Sequence, residues 1–314
     1  MTFEAHTTPL NELKRLLAAN RANYDACLDH IDHQDSCGGV VARTRLHHLK
    51  FDPNGQPKLH ALARCLAEHV IEYATSARTR PTPQSSQEWT ALVNETRRMF
   101  RVNTQERGLR DLSGEAGEML LYFLLEAVIG APQVIAKLEL KTNPALESNG
   151  SDGIHMRWDE SDGVVDVYFG EAKLHKSLSS AISDGFDSIE KFYSNGMREH
   201  EYALVTRHFK GVDTSLRLAV ADILNTGKPG PDARVNHACL FGYDWSAIAA
   251  TPGTAVEVLV SEYRRQYLEQ SPKLHARLQK HFESCSWKQV RFEVFFIPFE
   301  SVQAFRDAFA KAMS

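Results

Sequence analysis

Apolar positions along the chain recur with two different periods, and the change of period separates the elements. Leu62, Cys65, Leu66, Val70 and Ile71 fall at helical spacing and predict a helix over His60 to Tyr73. Beyond a short Pro/Ser stretch, Pro81 to Ser86, a second helix is expected from Glu88 to Arg101. Ser113 is placed to cap a strongly apolar helix running to Ile129, which Gly130 would end. Strands are then predicted at Gln133 to Leu140, Asp152 to Trp158, Val164 to Leu174 and Tyr202 to His208, with a helix, Ser177 to Tyr193, before the last. A helix from Ser215 to Leu224 and a strand from Ala238 to Tyr243 follow. Ala255 to Phe282 reads as a helix with a break expected at Pro272. A strand, Val290 to Ile297, and an amphipathic helix, Val302 to Met313, close the chain. This order predicts an α/β fold, a mixed sheet flanked by helices.

Two polar motifs interrupt the apolar pattern: Gly150-Ser-Asp152-Gly-Ile-His155 and Gly170-Glu171-Ala-Lys173. Glu171 and Lys173 are two apart on an expected strand, so both point to one side. Between the motifs, Glu160-Ser161-Asp162-Gly163 is a turn signal. If Ser161 and Asp162 make the turn, Asp152 falls opposite Glu171; if Asp162 and Gly163 make it, opposite Lys173. Either register puts Asp152 on the side of the pair. The rest of that side is apolar: Ile154, Met156, Trp158, Val165, Val167 and Phe169. On the preceding helix Glu115, Glu118, Tyr122 and Glu126 form one polar stripe at spacings of three and four. Glu115 suits the positive end of the helix dipole, whereas Glu118 sits one turn deeper.

Such carboxylates have a definite use. Hard oxygen ligands hold Mg²⁺, which keeps several waters and activates one of them against a phosphodiester. Lys173 would orient that water or stabilise charge at the phosphate.

The order helix-Glu, Asp, Glu-x-Lys resembles that of the PD-(D/E)xK nucleases, on Glu118, Asp152, Glu171 and Lys173. The hairpin between Asp152 and Glu171 is somewhat long for that superfamily, and no Pro precedes Asp152. More narrowly, the chain resembles the effector subunits of Hachiman anti-phage systems, the HamA family. The resembling segments are Ser113-Gly-Glu-Ala-Gly-Glu118, Gly150 to His155, Gly170 to His175 and Phe295-Phe-Ile-Pro-Phe299. The resemblance implies a restriction-endonuclease-like core over residues 106–314 and an N-terminal α/β extension over 1–105. It implies a DNA nuclease using Mg²⁺ or Mn²⁺ on Glu118, Asp152 and Glu171, with Lys173 catalytic and Glu115, Tyr122 and His175 accessory. A superfamily 2 helicase is the implied partner. A quiet nuclease-like scaffold subunit and a repair or junction nuclease are the rival readings.

Composition narrows the picture. The 314 residues carry 36 Lys and Arg against 40 Asp and Glu, a net charge of −4. That excludes a generally basic coat, so DNA contact requires local patches or a partner. Arg97 to Arg110 and Lys273 to Arg291 are two basic segments, each also readable as an ordinary solvated face. No stretch is long and apolar enough to span a membrane, and Met1 to Leu10 lacks the features of a signal peptide. The five irregularly spaced cysteines read as free thiols of a cytoplasmic protein. Cys27, His30, His33 and Cys37 match no zinc-finger spacing, and no phosphate-binding ATPase loop is present. The region before Ser113 is the expected docking surface for the helicase, or else part of the core.

Overall fold

The computed structural model describes residues 13–31, 40–75, 81–106, 113–136, 152–194, 233–245, 254–285, 287 and 290–314. The strand expected at Tyr202 to His208 and the helix at Ser215 to Leu224 lie outside them.

Seven strands form one mixed sheet: β1 (Leu28–Ile31), β2 (Ala42–Leu49), β3 (Gln133–Ile135), β4 (Ile154–Asp159), β5 (Val164–His175), β6 (Ala233–Asp244) and β7 (Arg291–Phe299), in the order β1-β2-β7-β6-β5-β4-β3. The four central strands β2, β7, β6 and β5 run parallel, and antiparallel strands close both edges. This is the mixed sheet flanked by helices that the pattern predicts, consistent with a restriction-endonuclease-like α/β fold. The two N-terminal strands belong to the same sheet, since β2 pairs along β7.

The helices lie on both faces. On one are α1 (Arg21–Cys27), α2 (Leu59–Glu68), α3 (Val70–Ala74), α5 (Ser113–Leu124) and α8 (Val302–Ala312). They share a core with Ala172, Leu174, Ala238, Leu240, Phe295 and Ile297. On the other are α6 (Leu178–Ser194) and α7 (Val256–Ser284), over Cys239, Phe241, Val294 and Phe296. A strand covered on both faces must be apolar on both, and β5 and β6 are buried along nearly their whole length. The remaining helix, α4 (Ser86–Glu106), packs against α3.

Several boundaries differ from the sequence pattern. The first expected helix is split at His69, whose ring bonds the Cys65 carbonyl while its backbone leaves the helical region. Helix α7 runs unbroken through Pro272. The apolar helix does reach Ile129 and ends at left-handed Gly130, but its last five residues widen to π-helix. The β4–β5 hairpin follows the first of the two registers: Ile154 opposes Phe169 and Asp159 opposes Val164. The connection is four residues, Glu160 to Gly163, with Gly163 at positive φ, rather than a two-residue turn.

Candidate active site

The long strand β5 carries Glu171 and Lys173 near its carboxyl end. Alternation puts them on the face covered by α6. The Lys173 stem packs near Gly185 of α6, and the Glu171 charge acts on Cys239 of the neighbouring strand. Lys173 Nζ and Glu171 Oε1 are 2.6 Å apart in an ion pair. Glu171 is buried, and Lys173 keeps part of its side chain in solvent.

Asp152 lies two residues before β4, not inside it. Its N–H donates to the Gly170 carbonyl at 2.7 Å, while the Gly170 N–H donates to the Gly153 carbonyl at 2.9 Å. The pairing is therefore offset by one residue from the ladder below it. The Asp152 carboxylate then accepts the Ala172 N–H at 2.7 Å. A strand N–H lies in the sheet plane, so this carboxylate sits at the strand edge, between the two faces. It is held at the residue separating Glu171 from Lys173. Gly170 lets helix α5 lie close at this point: a Cβ there would stand 3.1 Å from the Leu121 side chain.

Helix α5 crosses the opposite face of β5. It lies close because Gly117 has no side chain; a Cβ there would stand 3.1 Å from Leu174 Cγ. Glu118, the next residue, accepts a hydrogen bond from the Tyr73 hydroxyl at 2.8 Å. Tyr73 is fully buried on α3, and burial first, then the Glu118 charge, hold its hydroxyl protonated. The charges of Asp152 and Glu115 act on the same hydroxyl. Tyr73 thus holds the Glu118 carboxylate on the α5 side of β5. Sequence reading missed it; the relevant signal was a tyrosine on the helical stripe of Val70 and Ile71.

The accessory residues divide. Tyr122 stacks edge-on against Tyr73 at 5.6 Å, on the Glu118 side. Glu115 is buried in the first turn of α5. His175 Nε2 lies 3.1 Å from Asp184 of α6. Glu126 holds the fold together, accepting the N–H groups of Ala18, Ala19 and Gln133 at 2.7, 2.9 and 3.2 Å. His155 is buried with Nδ1 on the Ala131 carbonyl, and burial pushes it down to about 4, so it stays neutral. Cys27, drawn into the zinc reading, hydrogen-bonds Cys65, which brings its thiol down to about 7; His33 and Cys37 lie outside the described residues.

Among the described residues, no three His, Cys, Asp or Glu side chains are gathered as a ready metal cage. The donors at β5 are hard carboxylate oxygens, and Mg²⁺ is commonly held by one or two carboxylates plus waters and substrate phosphates. Asp152 and Glu171 match that sparse type of site.

The class of protein so described is a restriction-endonuclease-like α/β fold with an acid–lysine pair on a central strand. The HamA family model matches residues 24–313, nearly the whole chain, and the chain belongs to the HamA family, the effector subunits of Hachiman anti-phage defence. No curated protein matches it. Among the described residues, no helix is long and apolar enough to cross a membrane.

Proposed function

We propose that this chain is a metal-dependent DNA nuclease of the PD-(D/E)xK type, acting as the Hachiman effector in complex with a superfamily 2 helicase. The observation that carries the reading is the Asp152 carboxylate fixed on the Ala172 N–H, between Glu171 and the Lys173 ammonium paired with it. A buried carboxylate is costly unless a cation or donor meets it, and here two acids and one lysine share the end of one strand.

Asp152 and Glu171 would hold Mg²⁺ or Mn²⁺, with Glu118 as third carboxylate from the helix side. When bound, the metal would polarise a phosphoryl oxygen and lower the pKa of a coordinated water. Lys173 supplies a positive charge, held by Glu171, to stabilise the negative charge that develops on the phosphate. Tyr73 fixes the Glu118 carboxylate by its hydrogen bond, so that group does not reorganise during the reaction. The net charge of −4 and the missing ATPase loop support a partner that brings the DNA.

The test is cleavage of plasmid, linear DNA and RNA by the purified chain, alone and with a superfamily 2 helicase partner. Mg²⁺-dependent DNA cleavage that EDTA stops is expected. DNA left intact by the pair under all these conditions contradicts the reading and favours a scaffold role.

A further inference from the structure

The face of the sheet covered by α5 at its carboxyl end is open at its amino end, and there its character reverses. A cleft of about 820 Å³ crosses β4, β5, β6, β7 and β2, lined by six arginines against three carboxylates. The residues are in register across the strands: Arg157 opposes Asp166, Asp166 opposes Arg234, Asn236 opposes Arg291, and Glu293 opposes Arg43. Five adjacent strands thus place polar side chains on a face that is mostly apolar higher up.

This is a built site rather than a wetted surface. Asp166 is 1% exposed and accepts from Arg234 Nε at 2.6 Å, Arg157 Nη2 at 2.7 Å and Asn236 Nδ2 at 3.0 Å. Burial pushes its carboxyl up, but the guanidiniums outweigh that and hold it ionised. With Asp159 and Asp162 also on Arg234, these bonds fix two guanidiniums on the floor of the cleft and neutralise them, so the cations facing a ligand are those of β2 and β7. Arg45 is held by Glu293, while Arg43 is mostly exposed, 4.0 Å from the same carboxylate. Arg291 extends the row on β7. His47 lines the cleft as well. It is 1% exposed, its Nδ1 bonds the Tyr24 hydroxyl at 2.6 Å, and its Nε2 has no partner among the described residues.

We propose that this cleft binds a single strand of nucleic acid through its phosphates. Planar guanidiniums suit phosphate oxygens. A cleft of four strand spacings, about 19 Å, suits a chain of phosphates better than a single anion. Tyr168 and Phe292 in the lining are buried, so contact runs through the phosphates rather than by stacking on those rings. Asp166 and Glu171 are five residues apart on β5, about 17 Å, so the cleft is separate from the candidate active site. The proposal extends the nuclease reading, but its measurement needs no cleavage.

The experiment is fluorescence anisotropy of a labelled oligothymidylate of about twenty nucleotides with the full chain in EDTA. Wild type is expected to bind with a linear fall of log affinity against log salt. Arg43→Gln with Arg291→Gln should weaken binding at least tenfold and flatten the salt slope by about 1 to 2. Arg265→Gln, which removes an exposed arginine of α7 outside the cleft, should bind like wild type. Circular dichroism confirms that the variants fold, and Arg43→Gln alone, at an exposed position, decides the matter if the pair does not. Binding unchanged in the folded variants, or no binding by wild type, overturns the proposal. Displacement of the strand by equimolar thymidine monophosphate or pyrophosphate also overturns it, in favour of a small-anion site. Wild type that binds the strand but cleaves no DNA when Mg²⁺ is restored would contradict the nuclease reading and leave the cleft standing.

Discussion

The two ends of β5 each hold a buried acid, and they hold it differently. Asp166, near the amino end, is ringed by two guanidiniums, an amide and a phenol. Glu171, near the carboxyl end, is met by a lysine whose head is partly in solvent. A guanidinium ring fixes its acid in one geometry and leaves little for a reacting group to change. An ammonium is a compact donor on a flexible stem, able to follow a charge that appears elsewhere. Asp152 sharpens the contrast: its carboxylate is anchored on a backbone N–H, which positions it without neutralising it. The amino end is therefore an ordered ionic network, while the carboxyl end sets an acid–lysine pair beside an acid anchored on the backbone.

The largest effect that would break this comparison is on stability. Asp166→Ala removes the buried carboxylate that Arg157, Arg234 and Asn236 share, leaving only Asp159 and Asp162 to meet the guanidiniums, and should cost about 3 kcal/mol in urea unfolding. A loss below about 1 kcal/mol would mean that the network is not structural.

Between the two ends lies a band of neutral imidazoles, His155 on β4 and His237 on β6. Burial pushes His155 from 6.5 down to about 4 and His237 down to about 3. Below pH 6.5 the unfolded chain takes up protons that the folded chain does not, so stability falls as pH drops from 6.5 towards 4. It is flat in these groups above 6.5. His155 alone should account for about 3 kcal/mol at the acid end. Thermal melts across this range check the sign, and His155→Gln should flatten the slope.

The smallest change probes the carboxyl end. Tyr73→Phe removes the hydrogen bond to Glu118 and should cost about 1 to 2 kcal/mol of stability. If Glu118 takes part in the reaction, the variant should also cleave more slowly at saturating substrate, with substrate affinity little changed. Equal turnover in wild type and variant would make the contact purely structural.

The β4–β5 hairpin was legible because its signals are local. Alternation put Glu171 and Lys173 on one side, and the turn put Asp152 near them. The one-residue offset at Asp152 was not legible, because it depends on the backbone pairing of Gly153 with Gly170. Tyr73 was missed because its partner lies 45 positions away on another helix. The arginine cleft escaped for a related reason. Its cations come one or two at a time from separate elements, so no run of charge appears, and of them only Arg291 lies in a basic segment. Strand β2 reads as polar, Ala42-Arg-Thr-Arg-Leu-His-His-Leu49, although its second half is buried. Helices distant in sequence provide that burial, and His47 is tolerated there because Tyr24 meets it.

The central claim is that the carboxyl end of β5 hydrolyses phosphodiesters, and single-turnover cleavage by Glu171→Gln and Lys173→Ala tests it most directly. Both variants should melt within a few degrees of wild type, since neither opens a large cavity. Both should lose about 3 kcal/mol or more of transition-state stabilisation, roughly a hundredfold in rate, with Mg²⁺ saturating. Cleavage by either variant at near the wild-type rate, in preparations free of contaminating nucleases, would contradict the account.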